Sequence, residues 1–149
     1  MTEKDQKYET LLDIEACCQA LDDSKADDIL VLYLGEKSSI TDYYIIASGM
    51  SKPHLKALSR TVDETLDKRE VEPLLIDSEP NSGWVVVDAF DFMVHIFLPE
   101  QREYYSLESL WKDAELIEVE SRKSRVEGWF VQKVSRLRRA RKSQNVGCI

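Results

Sequence analysis

The segment Trp84–Glu100, WVVVDAFDFMVHIFLPE, decides the fold because a short acidic connection joins two strand-forming runs. Val85–Val87 belong to the first run and Phe92–Leu98 form the second, so the four residues between them predict the turn of a β-hairpin. Both faces of the second run are largely apolar, which predicts either a sheet covered on both sides or a face kept open for a partner protein. Alternation places Phe92, Val94, Ile96 and Leu98 on one face and Met93, His95 and Phe97 on the other.

The rest of the chain predicts helices and strands in an order typical of an α/β domain. Apolar residues recur at helical spacing between Tyr8 and Leu21. Ser51, with Pro53 two residues later, indicates the start of a second helix that runs to about Arg69. This order favours a mixed sheet with flanking helices. Further strands are predicted at Ile29–Leu34, Thr41–Ser48 and Pro73–Asp77, and short helical turns at Arg102–Trp111.

The charge divides the chain into two parts. Residues 1–120 contain 11 Lys and Arg against 27 Asp and Glu, a formal charge of −16, whereas residues 121–149 contain 9 against one, a charge of +8. An acidic domain attracts basic proteins, and a basic segment favours phosphates. We predict an acidic domain over 1–120 and a basic extension over 121–149 that is helical as far as Lys142 and then disordered.

The three cysteines and the N-terminal segment indicate the compartment. Cys17, Cys18 and Cys148 fit neither a disulfide framework nor a zinc-ligand spacing, which predicts a reducing cytoplasm. The acidic segment Met1–Glu9 resembles neither a secretory signal nor a transit peptide, and no apolar run is long enough to span a bilayer. A bacterial cytoplasmic protein without membrane contact is expected. With only two isolated histidines, no metal or cofactor is predicted.

Four blocks of this sequence resemble the bacterial ribosomal silencing factor family, also called Iojap. They are the hairpin with its tryptophan, two acids and histidine, the strand region Ser38–Gly49, the helix start Ser51–Leu58 and the closing segment Arg102–Trp111. The resemblance implies a nucleotidyltransferase-like fold and a homodimer. It also implies a translational repressor that binds the large ribosomal subunit through a basic protein on the intersubunit face and sterically blocks joining of the small subunit, without a catalytic step.

Candidate partner-binding residues follow from the same resemblance. Trp84 is expected to be the apolar anchor, Asp88 and Asp91 to pair with basic side chains, and His95 to be a second contact or an orienting group. Thr41 and Asp42 would add to an acidic rim around the apolar centre. The residues alone leave other interpretations open, because a tryptophan and a histidine beside a valine strand also suit a core, and acids in a turn also bond local backbone.

Two positions depart from the family's pattern. Gly83 stands where the family usually has an acid before the tryptophan, and Phe90 stands where it usually has glycine before the second acid. Because phenylalanine adopts a positive φ less readily than glycine, the hairpin turn is expected to differ.

The basic run near the C-terminus also has several interpretations. It is a solvated end, a clamp on ribosomal RNA, or a segment that folds back on the acidic domain or a dimer mate. The candidate RNA contacts are Arg136, Arg138, Arg139, Arg141 and Lys142.

Two alternative functions remain at this point. A nucleotidyltransferase-like nucleotide-binding protein would use Ser48 and Ser51 at a strand-to-helix turn with Asp88 and Asp91 as metal-holding acids. No Asp-x-Asp pair follows that turn, so the chain is not expected to be an enzyme. A ribosome-assembly adaptor is the second alternative, and it would bind immature particles.

Overall fold

The computed structural model describes residues 2–35, 38–78, 81–111 and 114–117. Its elements in chain order are α1 (Glu3–Asp23), β1 (Asp27–Tyr33), β2 (Tyr43–Ser48), α2 (Lys52–Lys68), β3 (Leu75–Asp77), β4 (Trp84–Asp88), β5 (Phe92–Phe97), α3 (Pro99–Tyr105), α4 (Leu107–Leu110) and β6 (Glu115–Leu116). The strands form one six-stranded sheet in the order β3-β4-β5-β2-β1-β6. β2 and β5 run parallel and the other neighbours antiparallel, which confirms the predicted mixed sheet with flanking helices.

The hairpin register gives the sheet two distinct faces. Val85 pairs with Ile96, and Trp84 pairs with Phe97, so alternate residues of β4 and β5 project to opposite sides as predicted. We call the side packed under α1 and α2 the helix face and the other side the aromatic face. The helix face carries Tyr43, Ile45, Ala47, Val85, Val87, Phe92, Val94 and Ile96, and the aromatic face carries Tyr44, Ile46, Ser48, Trp84, Val86, Asp88, Met93, His95 and Phe97.

Helices α1 and α2 seal the helix face. α1 begins upstream of its predicted start because Thr2 and Asp5 form a capping box, in which each side chain accepts the other residue's backbone N–H. α2 begins after Ser51, whose Oγ accepts the His54 N–H at 3.2 Å, as its predicted N-cap role requires. Each helix turns one buried stripe to the sheet: Ile14, Cys17, Cys18 and Leu21 from α1, and Leu55, Leu58, Val62 and Leu66 from α2.

The aromatic face is covered only in part, by α3, by α4 and by Trp111, which follows α4. Pro99 starts α3, and Ser106, in a left-handed conformation, separates it from α4. Leu116, left unassigned from the sequence, lies in β6 at the far edge of the sheet. The predicted basic helix over residues 121–142 lies outside the described residues. Within the part of the chain described, no helix has the length and apolarity to cross a bilayer.

Candidate functional site

Trp84 lies in an aromatic cluster at the centre of the aromatic face. Its indole stacks on Phe97, with ring centroids 5.1 Å apart and planes inclined by 23°, and Tyr105 of α3 packs against it at 4.7 Å. The indole Nε1–H donates a hydrogen bond of 3.1 Å to His95 Nδ1. The ring is half-buried, so one side is fixed by these contacts while part of the indole stays accessible. A fixed and accessible tryptophan is the usual form of an interface anchor.

His95 is a neutral imidazole that accepts a hydrogen bond from Trp84. The indole N–H only donates, so Nδ1 of His95 accepts and the ring proton resides on Nε2. Burial lowers the pKa of His95 to about 4, because the charged form would lose its hydration. Only 4% of the residue is exposed, and Nε2 has no partner within the described residues. His95 therefore orients the tryptophan rather than presenting a charge at the surface.

The open part of the aromatic face lies beside Trp84, towards β3. Val86 and Met93 are half-buried there, and Leu75 on the edge strand is 57% exposed. Asp88 closes this surface at the far end of β4, where it pairs with Met93 across the hairpin. The result is an apolar strip with a tryptophan at one end and a carboxylate at the other, which is the arrangement of an apolar centre with a polar rim.

The hairpin turn retains a left-handed residue despite the departure at position 90. Phe90 has φ +73°, and its N–H donates to Asp88 Oδ1 at 2.9 Å, so the acid acts as a turn former. This bond stabilises the positive φ of Phe90, and the expected difference from the family's turn stays a prediction. Its side chain is 64% exposed and projects from the tip of the hairpin.

Gly83, the other departure, is also in the left-handed region, with φ +69°. A Cβ at this position would lie 2.8 Å from Cδ of Gln101 in α3, so α3 packs directly over the glycine. An acid here, as the family usually has, would require the Gln101 side chain to move. Because Gln101 is flexible, the positive φ is the stronger reason for glycine at this position.

Asp91 and Asp42 lie together, but away from Trp84. Asp91 borders the same cleft as Gln6 and Thr10 of α1, so it lies on the helix-face side of the turn. Burial, and then the nearby Asp42 carboxylate, raises the pKa of Asp91 above its ordinary value. The Asp42 N–H donates to the Asp91 carbonyl at 3.2 Å, and the Asp42 side chain is exposed.

The structure thus divides the six candidate partner-binding residues into three groups. Trp84, His95 and Asp88 share the aromatic face, while Asp42 and Asp91 border the first turns of α1. Thr41 is buried, and its hydroxyl lies 3.5 Å from the Tyr43 carbonyl that it faces. Analysis of the sequence missed Tyr105 and Leu75 as neighbours of the site. Both are partly exposed residues on short elements, and the spacing of neither one gave a local signal of the contact with Trp84.

The residues of the nucleotide-binding alternative do not converge. Ser48 lies at the end of β2 that is level with Phe97, whereas Asp88 lies level with Met93, an offset of about 13 Å along the strands, and β5 lies between their two strands. The Ser48 hydroxyl accepts from Arg102 Nη1 at 2.8 Å. The Met50 N–H, which a phosphate would need at this helix start, already donates to His54 Nδ1 at 2.9 Å.

No metal centre is formed by the described side chains. Residues 2–35, 38–78, 81–111 and 114–117 contain no group of three or more His, Cys, Asp or Glu residues placed to hold an ion. Burial raises the pKa of Cys17 to about 12 and that of Cys18 well above its ordinary value, so neither thiol is a nucleophile. The candidate RNA contacts between residues 136 and 142 lie outside the described residues.

The sequence of this chain is similar to those of known proteins. Residues 7–145 match the family model described as ribosomal silencing factor during starvation. The ribosomal silencing factor RsfS of Bacillus subtilis is 34% identical over 107 residues, which are 72% of this chain and 91% of the relative. The mouse mitochondrial assembly of ribosomal large subunit protein 1 is 33% identical over 102 residues, which are 66% of this chain and 45% of that protein.

Solved structures show the same fold. A crystal structure of a Chromobacterium violaceum protein aligns with a TM-score of 0.64 at 34% identity, covering 66% of this chain and 82% of that one. A crystal structure from Bacillus halodurans aligns with a TM-score of 0.62 at 27% identity, covering 70% of this chain and 95% of that one. The likeness in fold therefore extends over most of this chain and of both solved chains.

Proposed function

The chain belongs to the ribosomal silencing factor family, and on that basis we propose that it represses translation by binding the large ribosomal subunit at its intersubunit face. The bound protein blocks the joining of the small subunit by occupying space, and it acts without a catalytic step. The observation that carries this proposal is the open strip on the aromatic face, in which Trp84 is both fixed and accessible.

The charge of the domain supports a basic protein as the partner. Residues 1–120 carry a formal charge of −16, so they repel ribosomal RNA and attract a basic ribosomal protein. Asp88 borders the apolar strip and supplies a carboxylate for a basic side chain of that protein. Asp42 and Asp91 lie away from Trp84, beside α1 at the turn of the hairpin, and in this proposal their carboxylates form a second acidic contact there.

Trp84 supplies the anchor of this contact. Its partner inserts an apolar group against the exposed side of the indole, while His95, Phe97 and Tyr105 keep the ring from rotating. A side chain that is already ordered loses little rotamer freedom on binding. This is why we assign the largest share of the binding energy to the tryptophan.

The basic extension over residues 121–149 makes a second contact in this proposal. Its cations, including Arg136, Arg138, Arg139, Arg141 and Lys142, neutralise ribosomal RNA phosphates near the docked acidic domain. The free protein is a homodimer in the bacterial cytoplasm. Replacing the four arginines by glutamine would reduce the salt dependence of subunit binding and leave the Trp84 contact in place.

Sedimentation with purified ribosomal subunits tests the docking. Wild-type protein is expected to co-sediment with large subunits and to lower the yield of joined ribosomes. Trp84→Ala is expected to weaken binding by about 2 kcal/mol, roughly thirtyfold, because a central aromatic anchor is lost. Tyr8→Ala is the matched control, since Tyr8 is an exposed aromatic on α1 and its loss leaves the aromatic face intact.

Two results would overturn the proposal. One is the absence of wild-type protein from every ribosomal fraction, and the other is equal binding by Trp84→Ala and Tyr8→Ala when both variants are folded. A specific observation also favours one alternative. The mouse relative is named for assembly of the large subunit, so the same gradients should include immature particles, which an assembly adaptor would prefer.

A further inference from the structure

Three cations lie in a row on the solvent side of α2. Lys52, Lys56 and Arg60 are exposed and are spaced four residues apart, so they lie on successive turns along one side of the helix. With a rise of about 1.5 Å per residue, the row is about 12 Å long. The opposite side of α2 is buried through residues such as Leu55 and Leu58. We call Lys52, Lys56 and Arg60 the basic stripe.

The basic stripe lies in a segment of the acidic domain that has no acidic residue. Residues 43–62 contain no Asp or Glu, although residues 1–120 contain 27. The stripe ends at Glu64, one turn beyond Arg60. Within the part of the chain that the structure describes, none of the three cations has an acidic partner, whereas Arg69 at the end of the same helix pairs with Asp13 at 2.8 Å. The charge of the stripe is therefore available to an anion outside the domain.

The order of charges along α2 is unfavourable for the helix itself. The helix dipole favours acids in the first turn and cations in the last turn. The first turn of α2 holds Lys52 and no acid, and the second half of the helix holds Asp63, Glu64 and Asp67. An arrangement that lowers helix stability and makes no compensating contact is typical of a functional surface. The dipole thus gives a reason, independent of the net charge, to assign the stripe to binding.

The basic stripe starts at the same end of the sheet as Trp84. Ser48, the last residue of β2, is level with Phe97, and Phe97 pairs with Trp84. α2 begins four residues after Ser48, so Lys52 lies near this end and the rest of the stripe leads back along the helix face. Docking through the aromatic face covers the other side of the sheet. The stripe then stays exposed, with its Lys52 end nearest to the docked surface.

The shape of the stripe favours a row of phosphates as its partner. Lysine carries a compact ammonium on a flexible stem, which binds a phosphate as a point charge. Long side chains on a convex helix surface form no walls that would enclose a small molecule. Regularly spaced cations instead suit a polyanion such as the backbone of a nucleic acid, whose phosphates position a protein without specifying sequence.

The negative charge of the domain as a whole does not prevent this contact. At physiological salt the Debye length is about 8 Å, so acids farther than this from a phosphate at the stripe are largely screened. We propose that the basic stripe binds backbone phosphates of ribosomal RNA in the large subunit while Trp84 engages a basic ribosomal protein. This inference rests on the docking proposed above, and it assigns an RNA contact to the acidic domain in addition to that of the extension.

The first experiment measures binding of the full-length protein to an RNA duplex of about 20 base pairs over a range of salt concentrations. The stripe variant Lys52→Gln/Lys56→Gln should bind about tenfold more weakly at about 0.1 M salt, and the slope of log K against log salt should fall by about 2, because two phosphate contacts are lost. The matched control, Lys4→Gln/Lys68→Gln, removes two exposed helical lysines outside the stripe and should change affinity less than about twofold. The basic extension is present in every variant.

A further variant separates binding from folding. Lys52→Glu places an acid in the first turn of α2, where the helix dipole favours it, so it should raise the melting temperature by about 1–2 °C while weakening RNA binding. A fall in both the melting temperature and the RNA affinity would mean that Lys52 supports the fold. Equal RNA affinities of the stripe variant and its control would leave the extension as the RNA contact. Either result would overturn the inference.

Ribosomal gradients and an acidic polymer test the identity of the partner. The stripe variant should bind large subunits about threefold more weakly than the control, and equal binding would overturn the assignment to ribosomal RNA. Loss of binding to polyglutamate without loss of binding to RNA would point to an acidic protein instead and would also overturn it. Trp84→Ala should keep its full affinity for the RNA duplex, so failure of the docking proposal and failure of the stripe are distinguishable.

Discussion

The two faces of the sheet are built from alternate residues of the same strands and are completed in different ways. On the helix face, Val85, Val87 and Ile96 are buried in the hydrophobic core under α1 and α2. On the aromatic face, a hydrogen-bonded Trp84–His95 pair takes the central place, and the area beside it is open. Residues adjacent in sequence therefore serve opposite purposes: one face stabilises the domain and the other is available for binding.

The largest expected effect is a loss of folding stability in acid, which acts through His95 on the aromatic face. The unfolded His95 imidazole takes up a proton near its ordinary pKa of 6.5, but the folded one does so only near 4. Between these values the unfolded state binds more protons, so stability is complete above pH 6.5 and falls as the pH decreases towards 4. The expected loss is about 3 kcal/mol, measured by urea denaturation across this range, and His95→Gln should not show it.

Protonation also removes the bond to Trp84, since Nδ1 can no longer accept. Tryptophan fluorescence should therefore change near pH 4, where the folded His95 takes up its proton. Asp91 has the opposite effect on stability. Its pKa is raised in the folded state, so the folded state binds a proton before the unfolded state does as the pH falls, which favours folding. If the unfolding free energy of His95→Gln falls between pH 6.5 and 4 as much as that of the wild type, the assignment of this loss to His95 is wrong.

The second comparison uses neighbouring valines. Val87→Ala empties a fully buried position on the helix face and should cost about 2 kcal/mol of unfolding free energy, from lost burial and the cavity left behind. Val86→Ala, one residue away on the half-open aromatic face, should cost about 0.5–1 kcal/mol. Subunit binding should show the reverse order, with the larger loss in Val86→Ala. Equal stabilities of the two variants would remove the distinction between the faces.

The smallest expected effect is a gain in stability at the tip of the hairpin. Phe90 is exposed and has φ +73°, a conformation that glycine adopts without strain. Phe90→Gly should raise the unfolding free energy by about 1 kcal/mol in thermal or urea denaturation. Phe90→Ala is the control, because it removes the ring and keeps the strain, so it should leave stability nearly unchanged. A variant Phe90→Gly that is no more stable than Phe90→Ala would show that the turn is not strained.

The strands and their faces could be predicted because alternation is a local property. Phe92, Val94 and Ile96 share a face whatever their partners are, and Ser51 caps α2 through a bond within the first turn. The start of α1 at Glu3 was missed, because only apolar spacing was used and the capping box of Thr2 and Asp5 lies upstream of it. In these cases the residues that decide the structure lie within a few positions of each other.

The composition of the site could not be predicted because it depends on register and on distant elements. The Trp84–His95 bond requires a turn that places Trp84 opposite Phe97, and Tyr105 reaches the indole from α3, which follows the hairpin. The direction of Asp91 depends on α1, far away in the sequence. Contacts of this kind leave no pattern in one sequence, whereas the tryptophan, acid and histidine types do.

The parallel pairing of β2 with β5 has a consequence for how the chain folds. β1 pairs with β2, and β4 pairs with β3 and β5, in antiparallel fashion between nearby parts of the chain. The central seam, which is the parallel pairing of β2 with β5, instead joins segments that are separated by α2, β3 and β4. Contacts between distant segments carry a larger loop-closure entropy and form slowly. We expect joining of the two halves along this seam to limit the folding rate, so that substitutions at Ile45 or Val94 slow folding more than equally destabilising substitutions within either half.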